Sequence, residues 1–352
     1  MQVVSAVLRT ALTAGWGHLA ITRPGAMRHD QMASTTLDRA RIKRIFFPYM
    51  DRKTREVIAA GGRFVYYTTA DTATSILRNR QIWMRSTTTM NDYMEVEHGF
   101  ECLNAAYKAE PGNIFNRALD ACFPGLAEDL KNYFNAWLPG IRRDTYMTCV
   151  SEHSAEEDRH GRLSMWRAYG GQAGVALVLN GAVMFSESDA LGAYSSPVAY
   201  LNPDAFAAEF VEIAKSIGGE AEYIRSLDRE AVKYIAFNML RFAVLCTKHP
   251  GFHEEREWRV VASPAMHPSR LLVSTVEVVR GTPQTVLKID LQNHPDQGLV
   301  GLALPELLNS IIIGPCEFPQ VILGAFRQLL VEAGVPEPER KIVVSDIPLR
   351  QP

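Results

Sequence analysis

An α+β fold around a mostly antiparallel central sheet is the fold class that this 352-residue sequence predicts. The composition carries part of that prediction, because 47% hydrophobic and 22% charged residues are ordinary values for a globular protein with a sizeable core. The order of the elements carries the rest, since the strand-like runs are separated by long helical inserts. The sequence therefore favours one sheet with helices added to it.

The predicted strands are short runs rich in β-branched and aromatic residues, the composition that fits a pleated sheet. The run at 174–180 is almost entirely apolar and predicts a buried strand. The predicted strands lie at 63–69, 81–87, 145–152, 174–180, 197–201, 257–262, 286–291 and 311–313, and a last strand lies near the C-terminus.

The predicted helices are recognised by apolar spacing and by the signals at their ends. The helix between the first two strands is expected to be capped by Asp71 or Thr72 and to reach Asn79. A helix at 319–334 begins at a proline and ends at a glycine. We expect a loosely ordered extension at 1–35 and one domain at 36–352, with a first helix up to about residue 60 and helical insertions at about 96–140 and 203–247.

Charge and cysteine content exclude some classes of protein. The 37 basic and 39 acidic residues give a net charge of −2, so no overall attraction to nucleic acid or to a membrane is expected. The five cysteines are odd in number, scattered and without a CxxC pair, which favours reduced thiols in a cytoplasmic protein. No apolar run approaches the length that a membrane span needs, so we expect a soluble chain.

The stretch His253–Val261, HEEREWRVV, places several charges beside an indole where a strand begins. In a strand, residues two apart point the same way, so Glu255 and Glu257 are expected to share one face and Arg256 and Trp258 the other. Neighbouring carboxylates repel, which raises the pKa of one of them unless a cation compensates, and such a pair suits acid–base work or the stabilisation of a cation. The other interpretation is a solvated strand edge with Glu–Arg pairs.

Other candidates are weaker. His249 and His253 have the spacing of a helical zinc pair, but Pro250 lies between them and breaks a helix, so no metal site is predicted. Cys149 and His153 alternate with Ser151 along one strand, which leaves open a nucleophilic cysteine or a buried strand cysteine.

Two pairs of aromatic residues could wall a ligand cleft. Trp166 and Tyr169 share a helix face and either belong to the core or line such a cleft. Tyr66 and Tyr67 point to opposite faces of the first strand, so one of them must face the core.

The order of these motifs resembles a bacterial family called domain of unknown function 2971 (DUF2971). The resemblance runs from about Arg63 to Arg350. Its most specific pieces are the spacing of Asn91, Asp92 and Glu95 and the run from Glu255 to Arg259.

A more distant similarity is to ADP-ribosyltransferases. It rests on an aromatic-Thr strand, a short helix, a second strand with hydroxyl residues and a late Glu-x-Glu. This resemblance implies a split sheet and NAD as a substrate, with no tightly bound cofactor. It implies that Glu257 is the catalytic carboxylate and that Glu255 aids the acceptor. Tyr66 stands where that superfamily often has His, a departure that bears on NAD binding.

The remaining residues that the resemblance brings in would bind the nucleotide. Ser86 or Thr87 would be the second-strand hydroxyl. Lys248, Arg259 or Arg85 would neutralise the diphosphate, and Asp92 and Glu95 would hold ribose hydroxyls, although Asn91 and Asp92 also suit a simple turn. The expected cofactor-binding set is Tyr66, Tyr67, Thr68, Ser86, Asn91, Asp92, Glu95, Trp166, Tyr169, Lys248 and Arg259.

Three functions follow as hypotheses. The first is a nucleotide-binding enzyme that transfers or hydrolyses ADP-ribose through a strand glutamate, with a protein, nucleic acid or small molecule as acceptor. The second is a non-catalytic ligand-sensing or protein-interaction module whose charged strands are structural. The third is a hydrolase that depends on Cys149.

Overall fold

The computed structural model describes residues 38–89 and 94–348, with the backbone alone for Met94 and Glu95. The expected extension at 1–35 and the residues Asn91 and Asp92 lie outside this part of the chain. The strands are β1 (Arg63–Thr69), β2 (Gln81–Ser86), β3 (Tyr146–Glu152), β4 (Gly174–Asn180), β5 (Ala193–Pro197), β6 (Ala199–Tyr200), β7 (Thr247–Lys248), β8 (Glu257–Ala262), β9 (Leu272–Val279), β10 (Thr282–Asp290), β11 (Leu308–Ile313) and β12 (Ile342–Val344).

The first helices lie before β1, and the others fall between the strands. They are α1 (Arg39–Phe46), α2 (Pro48–Ala59), α3 (Ala70–Asn79), α4 (Met94–Lys108), α5 (Glu110–Cys122), α6 (Leu126–Arg143), α7 (Leu163–Tyr169), α8 (Pro203–Gly219), α9 (Ala221–Arg225), α10 (Arg229–Leu245), α11 (Leu304–Leu307) and α12 (Pro319–Glu332). Helices α4–α6 and α8–α10 occupy the two expected insertions.

The central sheet confirms the α+β prediction. Its strand order is β12-β11-β4-β1-β3-β2-β10-β9, with β8 added to β3 and β5 added to β8. The pairs in this sheet are antiparallel, apart from the parallel pair of β11 and β12. A mostly antiparallel sheet with helices gathered in two insertions is the α+β arrangement.

The sheet divides along β3. One edge of β3 pairs with β8 along its length. The other edge is shared, because β1 pairs with its end at Val65–Ser151 and β2 pairs with its beginning at Arg85–Met147. A strand has only two edges, so β1 and β2 must separate between these two contacts. This opening lies beside the middle of β3, where Cys149 is located.

Two large cores cover the sheet. Helices α4–α6, α8 and α10 pack together with Met147 and Val261 of the sheet. Helices α3 and α12 pack with Phe64, Leu177 and Trp258. The alternation of side chains along β8 explains this division, because Trp258 and Val261 point to opposite faces.

Several local predictions are corrected. Helix α3 begins at Ala70 and is capped by Thr69, whose hydroxyl accepts from Thr72 N at 3.3 Å, so neither Asp71 nor Thr72 is the cap. The expected first helix is two helices, because Pro48 begins α2 after Phe47 leaves helical geometry. Strands β5 and β9 were not expected, and β6 covers only part of the run predicted at 197–201.

Candidate functional site

A chain of alternating charges runs through the ends of β7 and β8. Arg259 Nε donates to Glu257 Oε1 at 2.8 Å, and Lys248 Nζ donates to Glu257 Oε2 at 3.2 Å. The same Lys248 Nζ donates to Glu255 Oε2 at 2.7 Å. The two carboxylates that the sequence analysis singled out therefore converge on one ammonium group.

This charged chain leads from the core toward the surface. The side chains of Arg259, Lys248 and Glu257 are 0%, 4% and 6% exposed. The Glu255 side chain is 18% exposed. Beyond it, the Tyr169 hydroxyl donates to Glu255 Oε1 at 3.3 Å, and Tyr169 is exposed. Glu255 is therefore the carboxylate of the pair that lies nearest to solvent.

The backbone around Glu255 differs from the prediction that it shares a strand with Glu257. Residues Pro250–Glu255 form a 3₁₀ turn, whose first peptide N–H, that of Gly251, donates to His249 Nδ1 at 3.1 Å. Arg256 then adopts a left-handed conformation with φ 44°, and the strand begins at Glu257. The carboxylates meet because this turn reverses the chain beside Lys248.

The charges determine the protonation state of Glu257. Burial by itself raises the pKa of a carboxyl, but the positive charges of Arg259 and Lys248 outweigh burial and lower the pKa of Glu257 to about 2. The Cys149 thiol also hydrogen-bonds to this carboxylate. Glu257 is consequently an anion at neutral pH, as a carboxylate that stabilises a cation must be.

Aromatic residues surround the outer end of the charged chain. The ring centroid of Phe252 lies 4.7 Å from Lys248 Nζ, and Phe252 is 40% exposed. Tyr200 OH accepts from Glu257 N at 2.8 Å. Burial raises the pKa of Tyr169, and the nearby Glu255 charge raises it further. Phe252 and Tyr200 were not singled out in the sequence. Phe252 nevertheless carries a signal, because it stands three residues before Glu255 in a polar stretch where no apolar pattern marks it as a core residue.

Tyr67 and Trp166 lie together in a third, smaller core. Their ring centroids are 4.9 Å apart, and Tyr67 OH accepts from Arg162 N at 2.9 Å. Trp166 is 1% exposed, and its indole N–H donates to His160 O at 2.8 Å. Tyr67 and Trp166 therefore lie in the core. The sequence had left open whether they belong to the core or line a ligand cleft.

Tyr66 lies near the opening of the sheet. Burial raises its pKa, and the charges of Cys149 and Arg85 act on it in opposite directions. Tyr66 is partly buried and packs against the core that contains Phe64 and Trp258. Thr68 is buried farther along β1.

The residues at the end of β2 form hydrogen bonds with other protein groups. Ser86 Oγ lies 2.8 Å from Thr88 Oγ1, and Thr87 Oγ1 donates to Arg142 O at 3.5 Å. Arg85 Nε donates to Gln284 Oε1 at 3.2 Å. Asn91 and Asp92 lie outside the described residues, as does the side chain of Glu95, so their predicted role stays a prediction.

The Cys149–His153 pair does not form. Four residues of extended strand span roughly 13 Å, which is too far for a hydrogen bond between the two side chains. His153 is instead buried next to the loop after β3, where its Nε2 lies 2.8 Å from Asp158 Oδ1. The thiol hydrogen-bonds to the Glu257 carboxylate, so His153 is not its base.

Two cavities lie close to this region. A cavity of about 150 Å³ is lined by Glu56, Val57, Ala60, Arg63, Glu152, His153, Ser154 and Arg256. An apolar cavity of about 90 Å³ lies among α1, α2, α8 and α10, and Cys246 and Thr247 form part of its wall. Neither Glu255 nor Glu257 lines these two cavities.

Within 38–89 and 94–348, no group of three or more His, Cys, Asp or Glu side chains is arranged to hold a metal ion. In the same ranges, no helix has the length and apolar character needed to cross a bilayer.

Comparison with known proteins gives one match. A family model described as "Protein of unknown function (DUF2971)" matches residues 165–260. No curated protein and no solved structure matches the chain. The matched segment includes Tyr169, Lys248, Glu255, Glu257 and Arg259, which together make up the charged chain and its outer tyrosine. This chain is therefore similar to the DUF2971 proteins over a little more than a quarter of its length. The similar segment is the one that builds the candidate site.

Proposed function

We propose that this protein is an enzyme that binds an NAD-type nucleotide and cleaves its nicotinamide–ribose bond, transferring or hydrolysing ADP-ribose. The observation that carries the proposal is the convergence of Glu255 and Glu257 on Lys248, with exposed aromatic residues at the outer end. NAD is a substrate in this scheme and is not held between reaction cycles.

The chemistry of the reaction suits a pair of carboxylates. Cleavage of a bond between ribose and a ring nitrogen builds positive charge on the sugar, and glycosidases meet the same demand with two carboxylates. A carboxylate that is fixed by buried partners does not have to reorganise when the cation forms. Glu257 has such partners in Arg259 and Lys248.

The division of the sheet also supports the proposal. We propose that the separation of β1 from β2 along β3 corresponds to the split sheet of the ADP-ribosyltransferases. We further propose that the segment around Asn91, Asp92 and Glu95 completes the nucleotide site, with Ser86 and Thr68 near it. The acceptor is a protein, a nucleic acid or a small molecule.

The test is nicotinamide release from NAD by the purified full-length protein. Wild-type protein is expected to release nicotinamide, and a double variant, Glu255→Gln with Glu257→Gln, is expected to lose the activity. The exposed neighbour Glu254 supplies a matched control, Glu254→Gln, which should release nicotinamide at the wild-type rate. Equal rates in wild type and the folded double variant would remove the pair from the mechanism.

One observation favours a second function, a non-catalytic ligand-sensing or protein-interaction module. Both oxygens of Glu257 are already bonded to cations, as they would be in an ion cluster whose only task is to join β7 to β8. A thermal-shift screen over nucleotides separates the two, because a ligand that binds only the folded state raises the midpoint. A shift with NAD or ADP-ribose supports the enzyme, and no shift with any nucleotide supports the module.

A further inference from the structure

The Glu257 and Glu255 carboxylates differ in how many of their hydrogen-bonding positions protein groups already fill. Glu257 Oε1 accepts from Arg259 Nε at 2.8 Å, and its Oε2 accepts from Arg259 at 3.3 Å and from Lys248 at 3.2 Å. Only 6% of this side chain is exposed. A ligand hydroxyl could reach Glu257 only by displacing a buried cation, which would leave that cation without its partner.

Glu255 is open by comparison. Its Oε2 is fixed by Lys248 Nζ at 2.7 Å, whereas its Oε1 has the Tyr169 hydroxyl at 3.3 Å, near the upper limit for a hydrogen bond. A ligand hydroxyl can replace that contact without breaking an ion pair. The side chain is 18% exposed, and the exposed rings of Tyr169 and Phe252 stand near it and Lys248.

Lys248 connects the two carboxylates. Its ammonium group bonds to both, and its side chain is only 4% exposed. The buried Glu257 therefore holds Lys248 in place, and Lys248 holds one oxygen of Glu255. A change at Glu257 would reach the surface through this ammonium group.

We infer that Glu255 is the carboxylate that touches the bound nucleotide and the acceptor, and that Glu257 and Lys248 are positioning residues that act through it. This inference rests on the proposed function and reverses the roles that the resemblance to ADP-ribosyltransferases implies. Glu255 is the catalytic residue of the pair, and the outer aromatic residues flank the ribose that it contacts.

The reaction at Glu255 breaks one bond of ribose C1′ and forms another. The bond between ribose C1′ and the pyridinium nitrogen breaks, and its electron pair stays on the nitrogen, so nicotinamide leaves neutral. The acceptor oxygen, that of water in hydrolysis, forms the new bond to C1′. Its proton passes to the Glu255 carboxylate and from there to solvent, which restores the enzyme.

Single variants separate the two assignments. Glu255→Gln removes the general base, so kcat for nicotinamide release should fall about 10²- to 10⁴-fold. The thermal midpoint of this variant should stay near that of wild type. Lys248→Met should lower kcat more than it changes KM, because it disorders Glu255 without removing it. Lys248→Arg restores a cation and should recover part of the lost kcat, an effect that a purely structural role would not produce at equal thermal stability.

The outcomes distinguish this inference from the proposed function. Release by wild-type protein together with undiminished release by Glu255→Gln would overturn the assignment of Glu255 and leave the enzyme standing. The absence of release by wild-type protein would overturn the proposed function, and the assignment with it. Because Glu257→Gln can fail to fold, the Lys248 variants carry the test of positioning. Equal kcat in Lys248→Met and wild type would reject that role.

Discussion

Arg259 Nε donates to Glu257 Oε1 at 2.8 Å within one strand, and both side chains are buried. Residues two apart in a strand share a face, so Glu257 and Arg259 can pair along β8 without distorting it. Lys248 adds a second cation from β7. This buried group gives the site a rigid inner end, and several measurable consequences follow from it.

Glu257→Gln should destabilise the protein by about 3–5 kcal/mol, the usual cost of removing one partner from a buried ion pair. The variant leaves Arg259 and Lys248 buried without their common anion. Urea unfolding of the purified protein measures the change in the free energy of unfolding. The exposed control Glu254→Gln should stay within about 0.5 kcal/mol of wild type. A loss below about 1 kcal/mol for Glu257→Gln would show that the ion group contributes little.

The contribution of Glu257 to stability should depend on pH in a defined window. Its pKa is lowered in the fold to about 2 from an ordinary value near 4.5, so the unfolded chain takes up this proton first. The stabilisation is therefore complete above pH 4.5 and is lost as the pH falls toward 2. The difference in unfolding free energy between wild type and Glu257→Gln should shrink over that window. A difference that stays constant with pH would contradict the lowered pKa.

His267 should add a separate acid-sensitive step. Burial and, to a lesser extent, the charge of Arg241 lower its pKa from 6.5 to about 3. The unfolded chain binds this proton first, so wild-type stability should fall as the pH drops from about 6.5 toward 3. His267→Gln should flatten the pH dependence of the unfolding free energy in that range. An unchanged slope in the variant would show that His267 takes up its proton as readily in the folded protein as in the unfolded chain.

The conformation of Arg256 should cost stability that glycine recovers. Arg256 adopts φ 44°, a left-handed geometry that costs a residue with a Cβ about 1–2 kcal/mol and costs glycine little. Arg256→Gly and Arg256→Ala both lose the pairing with Glu157, so their difference isolates the backbone. The glycine variant should unfold at higher urea concentration. Equal stability of the two variants, or greater stability of the alanine variant, would mean that the turn is not strained.

Phe252 should contribute to ligand binding and not to folding. It is 40% exposed beside Lys248, so Phe252→Ala removes few buried contacts and should leave the thermal midpoint unchanged. A stacked base loses about 1–3 kcal/mol when its aromatic partner is removed, which corresponds to a rise of about 5- to 150-fold in KM for NAD. Phe318→Ala, at another exposed phenylalanine, serves as the control. The same KM in both variants would exclude stacking at Phe252.

The sequence predicted β8 from Glu257 onward because Trp258, Val260 and Val261 favour a strand, but it also placed Glu255 in the same strand, which is wrong. It also predicted that Glu255 and Glu257 act together. It could not predict how they meet, because the left-handed Arg256 is not a glycine and nothing in the residue type marks that conformation. Lys248 was expected to neutralise a diphosphate. Its contacts with the two carboxylates depend on the pairing of β6 with β7, which joins segments that are distant in the sequence.

Strand β9 was missed for a different reason. Its valines and Thr275 give it the composition of a strand, but they do not alternate regularly with polar residues, and Val273, Val276 and Val278 are exposed at the sheet edge. The choice between core and cleft at Trp166 was likewise undecidable from spacing, since helical spacing is the same in both. The contact with Tyr67 decided it.

Mass spectrometry of the products that the purified wild-type protein forms from NAD in ¹⁸O-labelled water shows directly which bond of NAD is cleaved. We expect free nicotinamide, with ¹⁸O on ribose C1′ in the hydrolysed ADP-ribose and unlabelled phosphates. Nicotinamide mononucleotide and AMP with ¹⁸O in a phosphate would contradict this expectation, because the diphosphate and not the glycosidic bond would have been cleaved. Recovery of intact NAD would contradict it as well.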